Sequence, residues 1–317
     1  MSTIDTSSQV ASSVVVTSSI SQQTKRLTLA RLIDFLEMGK PKIALLSLVT
    51  VTIGFFLGCQ DRWEPVLLLH ALVGITLVAI SSSTFNQLIE IKTDARMKRT
   101  ENRPLPAGRL SWWEVFLFGS VTIVSGILYL AFFANATTAL LAGLTFTIYV
   151  VIYTPLKKVT SLSTAIGAIA GALPPVLGWT AAGGNLDAGA WTLFGILFLW
   201  QFPHFLAISW LYRNEYRSAG LQMLPQISYQ RAGFTGWLAI GYAVVLIPVS
   251  LLPANVQLAG DRYSMAALVL GLGYLFCTVQ FARGESPQSA RRLIRSSLLY
   301  LPAILLMMLW DHWRLLS

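Results

Sequence analysis

Three side chains spaced four residues apart, Asn86, Glu90 and Asp94, form the grouping in this 317-residue chain best suited to chemistry. On a helix that spacing puts them on one face, over about 12 Å at 1.5 Å per residue. Two carboxylates one turn apart with an amide oxygen below them suit a hard cation such as Mg²⁺, which binds through one or two carboxylates, waters and substrate phosphates. A plainer alternative is a solvated helix end whose acids pair with Lys98 and Arg99. Apolar residues run up to Phe85, however, which places the face at the mouth of a membrane, where ionisable groups mark function.

Other polar segments carry matching chemistry. Asn102-Arg103-Pro104-Leu105-Pro106-Ala107-Gly108-Arg109 is a stiff non-helical loop by its prolines and glycine, and Arg103 and Arg109 offer guanidinium groups to a polyanion. Lys157 and Lys158, after Tyr153-Thr154-Pro155-Leu156, could neutralise a diphosphate leaving group with Tyr153 hydrogen-bonding it, although two lysines also mark any stop-transfer boundary. Trp200-Gln201-Phe202-Pro203-His204-Phe205 puts a histidine after a helix-disturbing proline inside an apolar span. His204 is there either as a packing residue or as a group facing a cavity. Downstream, Glu215 is the one acid available to a second cation, between Tyr212 and Tyr216.

The elements that must position these residues are membrane spans. The chain is 55% hydrophobic and 12% charged, with a mean hydropathy of +0.63, whereas a soluble domain carries about 25% charged residues. Runs of about 20 apolar residues are what a ~30 Å hydrocarbon core requires of a helix. Nine occur, over 43–60, 65–85, 113–133, 136–153, 162–182, 189–210, 232–252, 264–282 and 293–312. Strand-like alternation is absent, so the expected fold is all-α: a polytopic bundle of nine transmembrane helices with a cytoplasm-facing active-site cavity. Placing the N-terminus inside and the C-terminus outside puts 20 of the 23 Lys and Arg residues on the cytoplasmic side, leaving only Arg62, Arg262 and Arg314 elsewhere. The net charge of +9 is therefore read as topology, which removes nucleic acid as a partner and names the lipid bilayer instead. The second, fourth and sixth spans end on that inner side, and the three polar segments converge there.

Residues 1–31 are expected to be a cytoplasmic tail, disordered over 1–24, ahead of one transmembrane domain at 32–317. The tail has neither a signal peptide's apolar core nor an Arg-rich transit pattern, which favours the plasma (inner) membrane of a bacterium over an organelle. Cys59 and Cys277 fall at different depths and are expected to be free thiols. In the fifth span, Gly167-x-x-x-Gly171 suggests close helix approach and Pro174-Pro175 a bend. A secondary transporter would also be polytopic, but it would place its charges near the midplane of both halves, not at one face.

Asn86-x-x-x-Glu90-x-x-x-Asp94 followed by Asn102-Arg103-Pro104-Leu105-Pro106-Ala107-Gly108-Arg109 resembles the UbiA-type intramembrane prenyltransferases. Tyr153-Thr154-x-x-Lys157-Lys158-x-Thr160, Pro203-His204-Phe205 and Tyr216-x-x-Ala219-Gly220-x-x-Met223-Leu224-Pro225 extend the likeness, from about residue 32 to the C-terminus, to the protohaem IX farnesyltransferase (haem O synthase) branch. The resemblance implies farnesyl diphosphate as donor and haem b as acceptor. Asn86, Glu90 and Asp94 would hold Mg²⁺ on the diphosphate, while Lys157, Lys158 and Arg103 offset its remaining charge. Trp200, Phe202 and Phe205 would shield an allylic cation, and His204 would contact the haem. A haem A synthase or terminal-oxidase assembly proteins are the downstream partners it implies. Two departures stand out: Glu90 replaces the superfamily's usual Asp, and Asn214 with Glu215 is all that remains of a second acidic motif.

Overall fold

The computed structural model of the protein describes residues 29–59 and 64–316, and the expected disordered stretch at 1–24 lies outside them. Residues 29–31, placed in the tail by the sequence, are helical and open α1 (29–38). The architecture is all-helical, with nine spans among the described residues long and apolar enough to cross a membrane. They are α2 (Pro41–Gly58), α3 (Pro65–Asp94), α4 (Trp112–Phe133), α5 to α6 (Ala136–Leu156), α7 and α8 (Ser163–Ala172 and Pro174–Ala181), α9 (Ala188–Leu211), α12 (Phe234–Asn255), α13 (Asp261–Arg283) and α14 (Pro287–Leu316). Short helices α10 (Arg213–Ser218) and α11 (Ile227–Gln230) follow α9.

The fifth and sixth spans form the interior. Some 72% and 61% of their central residues are buried, against 22–39% in the other seven. Burial this deep needs close backbones, because lipid tails are as apolar as leucine and only packing holds helices together. That contact is made between α2 and α8. A methyl group on Gly54 would lie 2.0 Å from the Pro175 carbonyl oxygen, and one on Gly178 would lie 1.9 Å from that of Val51. Gly167 and Gly171 differ from the close helix approach read in the sequence. Their missing side chains make room for the Tyr153 ring and the Gln201 amide, so they admit side chains instead of a second backbone.

Leu173, at φ −76° and ψ −25°, separates α7 from α8 just before Pro174-Pro175, where the sequence placed a bend. Exposed tryptophans mark both ends of the bundle. Trp112, Trp113 and Trp237 lie at the start of α4 and α12, and Trp191, Trp310 and Trp313 at the start of α9 and the end of α14. Two such belts are the pattern of membrane–water interfaces.

One end of the bundle is tied together by its connections. Met97 from the α3–α4 loop packs with Tyr216, Ala219 and Leu221 after α9. The Gln222 amide donates to the Lys157 carbonyl at 2.7 Å, and Gly220, at φ 78°, makes the left-handed turn that ends α10 and permits this approach. On the other flank, Met38 of α1 packs with Leu88, Leu105, Leu110 and Val115, while the Gln87 amide donates to the Met38 carbonyl at 2.8 Å. The segments after α3, α6 and α9 thus converge on one end. Cys59 and Cys277 are both free thiols.

Candidate active site

The apolar run of α3 does not end the helix. It continues through the polar segment to Asp94, nine residues past the expected span, and carries Asn86, Glu90 and Asp94 inward on one face. All three are buried, at 2%, 6% and 1% exposure. A buried carboxylate must be paired, and the partners are not Lys98 and Arg99. Glu90 Oε1 accepts from Lys157 Nζ at 2.9 Å, and Glu90 Oε2 accepts from Asn86 Nδ2 at 2.9 Å. Asp94 Oδ2 accepts from Arg103 Nη1 at 2.6 Å. The solvated-helix-end reading therefore gives way to an enclosed polar cluster.

Lys157 reaches the cluster through an irregular turn. The fourth span changes from α-helix to a π-helical turn at Ile148–Tyr153 before α6 (Thr154–Leu156). Pro155 has no N–H and crowds the carbonyl four residues back, so a widened turn is the expected response. Just after it, Thr154 Oγ1 donates back to the Tyr149 carbonyl at 2.7 Å and accepts from Asn86 Nδ2 at 3.2 Å. The Lys157 ammonium also lies 4.4 Å from the centroid of the Tyr153 ring, on its face.

Sequence reasoning missed Lys40. It occupies the junction of α1 and α2 in a left-handed conformation, φ 47° and ψ 61°, which a lysine adopts only under constraint. From there its Nζ donates to Asn86 Oδ1 at 3.1 Å. Burial, reinforced by Arg103 and Lys157, lowers its ammonium from the ordinary lysine range to about 7. The signal was Gly39-Lys40-Pro41: a turn residue, a cation, and a proline at the first helical position.

Other expected residues lie apart from this cluster. Arg109 is held by Asp34 at 2.7 Å and Glu37 at 2.8 Å, fastening α1 to the proline loop. Lys158 is exposed. Glu215 is half-buried and does not join Glu90 and Asp94; among the described residues no three His, Cys, Asp or Glu side chains gather into a group able to hold an ion. Tyr216 takes a hydrogen bond from Arg99 at 3.3 Å. On α9, Trp200 and His204 meet Ser297 of α14, Phe205 lies beside His204, and Phe202 turns to stack on Tyr242 of α12.

The donor set still fits Mg²⁺. Two carboxylates and one amide oxygen are hard ligands, and Mg²⁺ takes few protein ligands because water and phosphate supply the rest. Three basic side chains, Lys40, Arg103 and Lys157, meet only two carboxylates here. That basic excess suits a polyanion.

Residues 47–310 match the UbiA prenyltransferase family. A protoheme IX farnesyltransferase of Solibacter usitatus (strain Ellin6076) is 40% identical over 288 residues, covering 88% of this chain and 98% of the relative. That of Koribacter versatilis (strain Ellin345) is 40% identical over 289 residues, covering 88% and 93%. Among solved structures, one of digeranylgeranylglyceryl phosphate synthase superposes with a TM-score of 0.75 at 15% identity, covering 89% of this chain and 98% of that one. A UbiA homolog from Archaeoglobus fulgidus bound to DMAPP and Mg²⁺ superposes at 0.65 with 18% identity, covering 87% and 99%. With the family match spanning most of the nine-helix bundle and the buried acid–base cluster inside it, the chain belongs to the UbiA prenyltransferase family.

Proposed function

We propose that this prenyltransferase moves a farnesyl group from farnesyl diphosphate to a vinyl group of haem b, with addition of water, giving haem O and diphosphate. The observation that carries the reading is the enclosed cluster of Asn86, Glu90 and Asp94 with Lys40, Arg103 and Lys157, in a chain 40% identical to protoheme IX farnesyltransferases over nearly their whole length.

The residues divide the work by charge. Mg²⁺, held by Asn86, Glu90 and Asp94, would supply charge neutralisation at the diphosphate. Lys157 and Arg103, each paired to one carboxylate in the free protein, exchange that partner for diphosphate oxygens and stabilise the charge that grows there as the allylic C–O bond breaks. The C–O electron pair leaves with the diphosphate. The vinyl group then bonds to the allylic carbon, water adds to the resulting cation, and one proton is released. Trp200 and Phe205 offer aromatic faces to the cationic stage.

The charge bias along the chain supports an orientation with the N-terminus and the site on the cytoplasmic side of a bacterial inner membrane. Haem A synthase or oxidase assembly factors would take the product. Mass spectrometry of haem extracted from cells that lack haem O, after expression of this chain, tests the reaction directly. A mass gain of one farnesyl group plus water is expected; unmodified haem b would overturn the proposal.

A further inference from the structure

Ser81-Ser82-Ser83-Thr84 is a run of hydroxyl residues just inside Asn86 on α3, and one of them differs from the rest. Ser81 Oγ donates to the Gly119 carbonyl of α4 at 2.7 Å, Ser82 Oγ to the Val78 carbonyl at 2.8 Å and Thr84 Oγ1 to the Ile80 carbonyl at 2.8 Å. Ser83 Oγ is buried and has no hydrogen-bond partner among the described residues, in a residue only 8% exposed. A helical serine ordinarily bonds the carbonyl four residues back or faces water. A buried hydroxyl that does neither calls for a physical reason.

Its place on the helix supplies one. Counted from Asn86, Glu90 lies about 40° around the helix axis, Ser83 about 60°, Asp94 about 80°, Gln87 about 100° and Ile80 about 120°. Ser83 is thus in the middle of the face that carries the acids, about 4.5 Å deeper in the bundle than Asn86. On one side of it, Asn86 and Glu90 meet Thr154 and Lys157. On the other, Gln87 bonds the Met38 carbonyl, and Ile80 lies 3.2 Å from where a methyl group on Gly39 would be. Ser83 therefore points between α6 and the turn that carries Lys40.

Gln87 adds a second bare group to that face. Its Nε2 donates to the Met38 carbonyl at 2.8 Å, which leaves Oε1 as the free acceptor of the amide. Oε1 is also buried without a partner among the described residues. A hydroxyl and an amide oxygen one turn apart suit a single water, which takes about two to four hydrogen bonds when buried.

Resting on the haem reading above, we propose that Ser83 Oγ and Gln87 Oε1 hold the water that adds to the cation formed once the vinyl group has bonded to the allylic carbon. The diphosphate stays with the acids, and the apolar prenyl chain runs from it toward the apolar part of α3, so the reacting carbons lie on the Ser83 side of the cluster. Ser83 donates to one lone pair of the water and Gln87 accepts one of its protons. The second lone pair forms the C–O bond. The other proton passes to the diphosphate freed in the first step, and the electrons of that O–H bond stay on oxygen. Without a held water, the same cation loses a proton from the adjacent carbon to the same base and closes to an alkene, lighter than haem O by one water.

The test is mass spectrometry of the haem products that the purified full chain in lipid nanodiscs makes from haem b, farnesyl diphosphate and Mg²⁺, with melting temperatures measured alongside. The wild type should give haem O. Ser83→Ala removes only a bare hydroxyl, so it should melt like the wild type and keep its total farnesyl transfer, while the ratio of alkene to haem O rises about 10-fold, the scale of one lost hydrogen bond. Gln87→Met should move the ratio the same way. An unchanged ratio in either variant overturns the proposal, as does loss of both products in Ser83→Ala, which would assign the hydroxyl to ionisation or to the fold. A wild type that forms no haem O would instead overturn the haem-acceptor reading, so the two failures are told apart.

Discussion

Lys157 Nζ lies 2.9 Å from Glu90 Oε1, with only 10% and 8% of the two side chains exposed. Removing one member of such a buried pair leaves an uncompensated charge, which costs roughly 3–5 kcal/mol. Lys157→Met should therefore lower both the thermal unfolding midpoint and prenyl transfer. Adding Glu90→Gln should restore the midpoint while transfer stays lost. Recovery of turnover in the double variant would show that the pair serves stability alone.

Asp94 is the acid that we propose acts at the diphosphate, and in the free protein it pairs with Arg103. Asp94→Asn keeps the shape and removes the charge, and should cut farnesyl transfer at least about 100-fold, the scale of one lost electrostatic contact in a transition state. Initial rates at several Mg²⁺ concentrations check this. A variant with wild-type rate and metal dependence would take Asp94 out of the site.

Asn86 links three partners, Lys40, Glu90 and Thr154. Asn86→Ala leaves buried donors and acceptors unmatched, at about 1–3 kcal/mol for each group. Weaker binding of a farnesyl diphosphate analogue is expected, measured by calorimetry with and without Mg²⁺. Unchanged affinity in both arms would count against this residue as a ligand.

Backbone contact between α2 and α8 leaves no room for a methyl group. Gly178→Ala should destabilise the bundle by at least about 1–3 kcal/mol, an overpacking cost, seen as a lower melting temperature in detergent. Gly241→Ala, where a methyl would meet nothing within 4 Å, serves as the control and should melt like the wild type or slightly higher. Equal melting of the two variants would contradict the packing described.

Arg109 holds Asp34 and Glu37 on a helix whose outer face leaves Leu32, Ile33 and Leu36 exposed. Arg109→Ala should speed amide exchange over 29–38 with a cost of about 1 kcal/mol or less, because the pairs are partly exposed. Exchange confined to wild-type rates would show that the apolar contacts of Met38 suffice to hold α1.

The nine spans could be read from hydropathy because a helix in hydrocarbon must satisfy its own backbone and wear apolar side chains over the whole thickness, a property local to each run. The face at Asn86, Glu90 and Asp94 was legible for a similar reason: it depends only on the helical period and on α3 continuing past its apolar run. Lys157 and Arg103 were identifiable as cations suited to diphosphate. Their partners were not, since Lys98 and Arg99 stood nearer in the chain.

The tertiary structure decided the pairings. Glu90 meets a lysine 67 residues away and Asp94 an arginine nine residues on, at the start of the proline loop, contacts set by where α3, α6 and the connecting loops converge. Lys40 entered the site because a left-handed turn between α1 and α2 aims it there, and Arg109 left it because α1 supplies two carboxylates of its own. The sequence by itself determined the membrane class, the span count and the acidic face, since each follows from local periodicity and burial in lipid. Which cation meets which carboxylate depends on how those segments pack side by side.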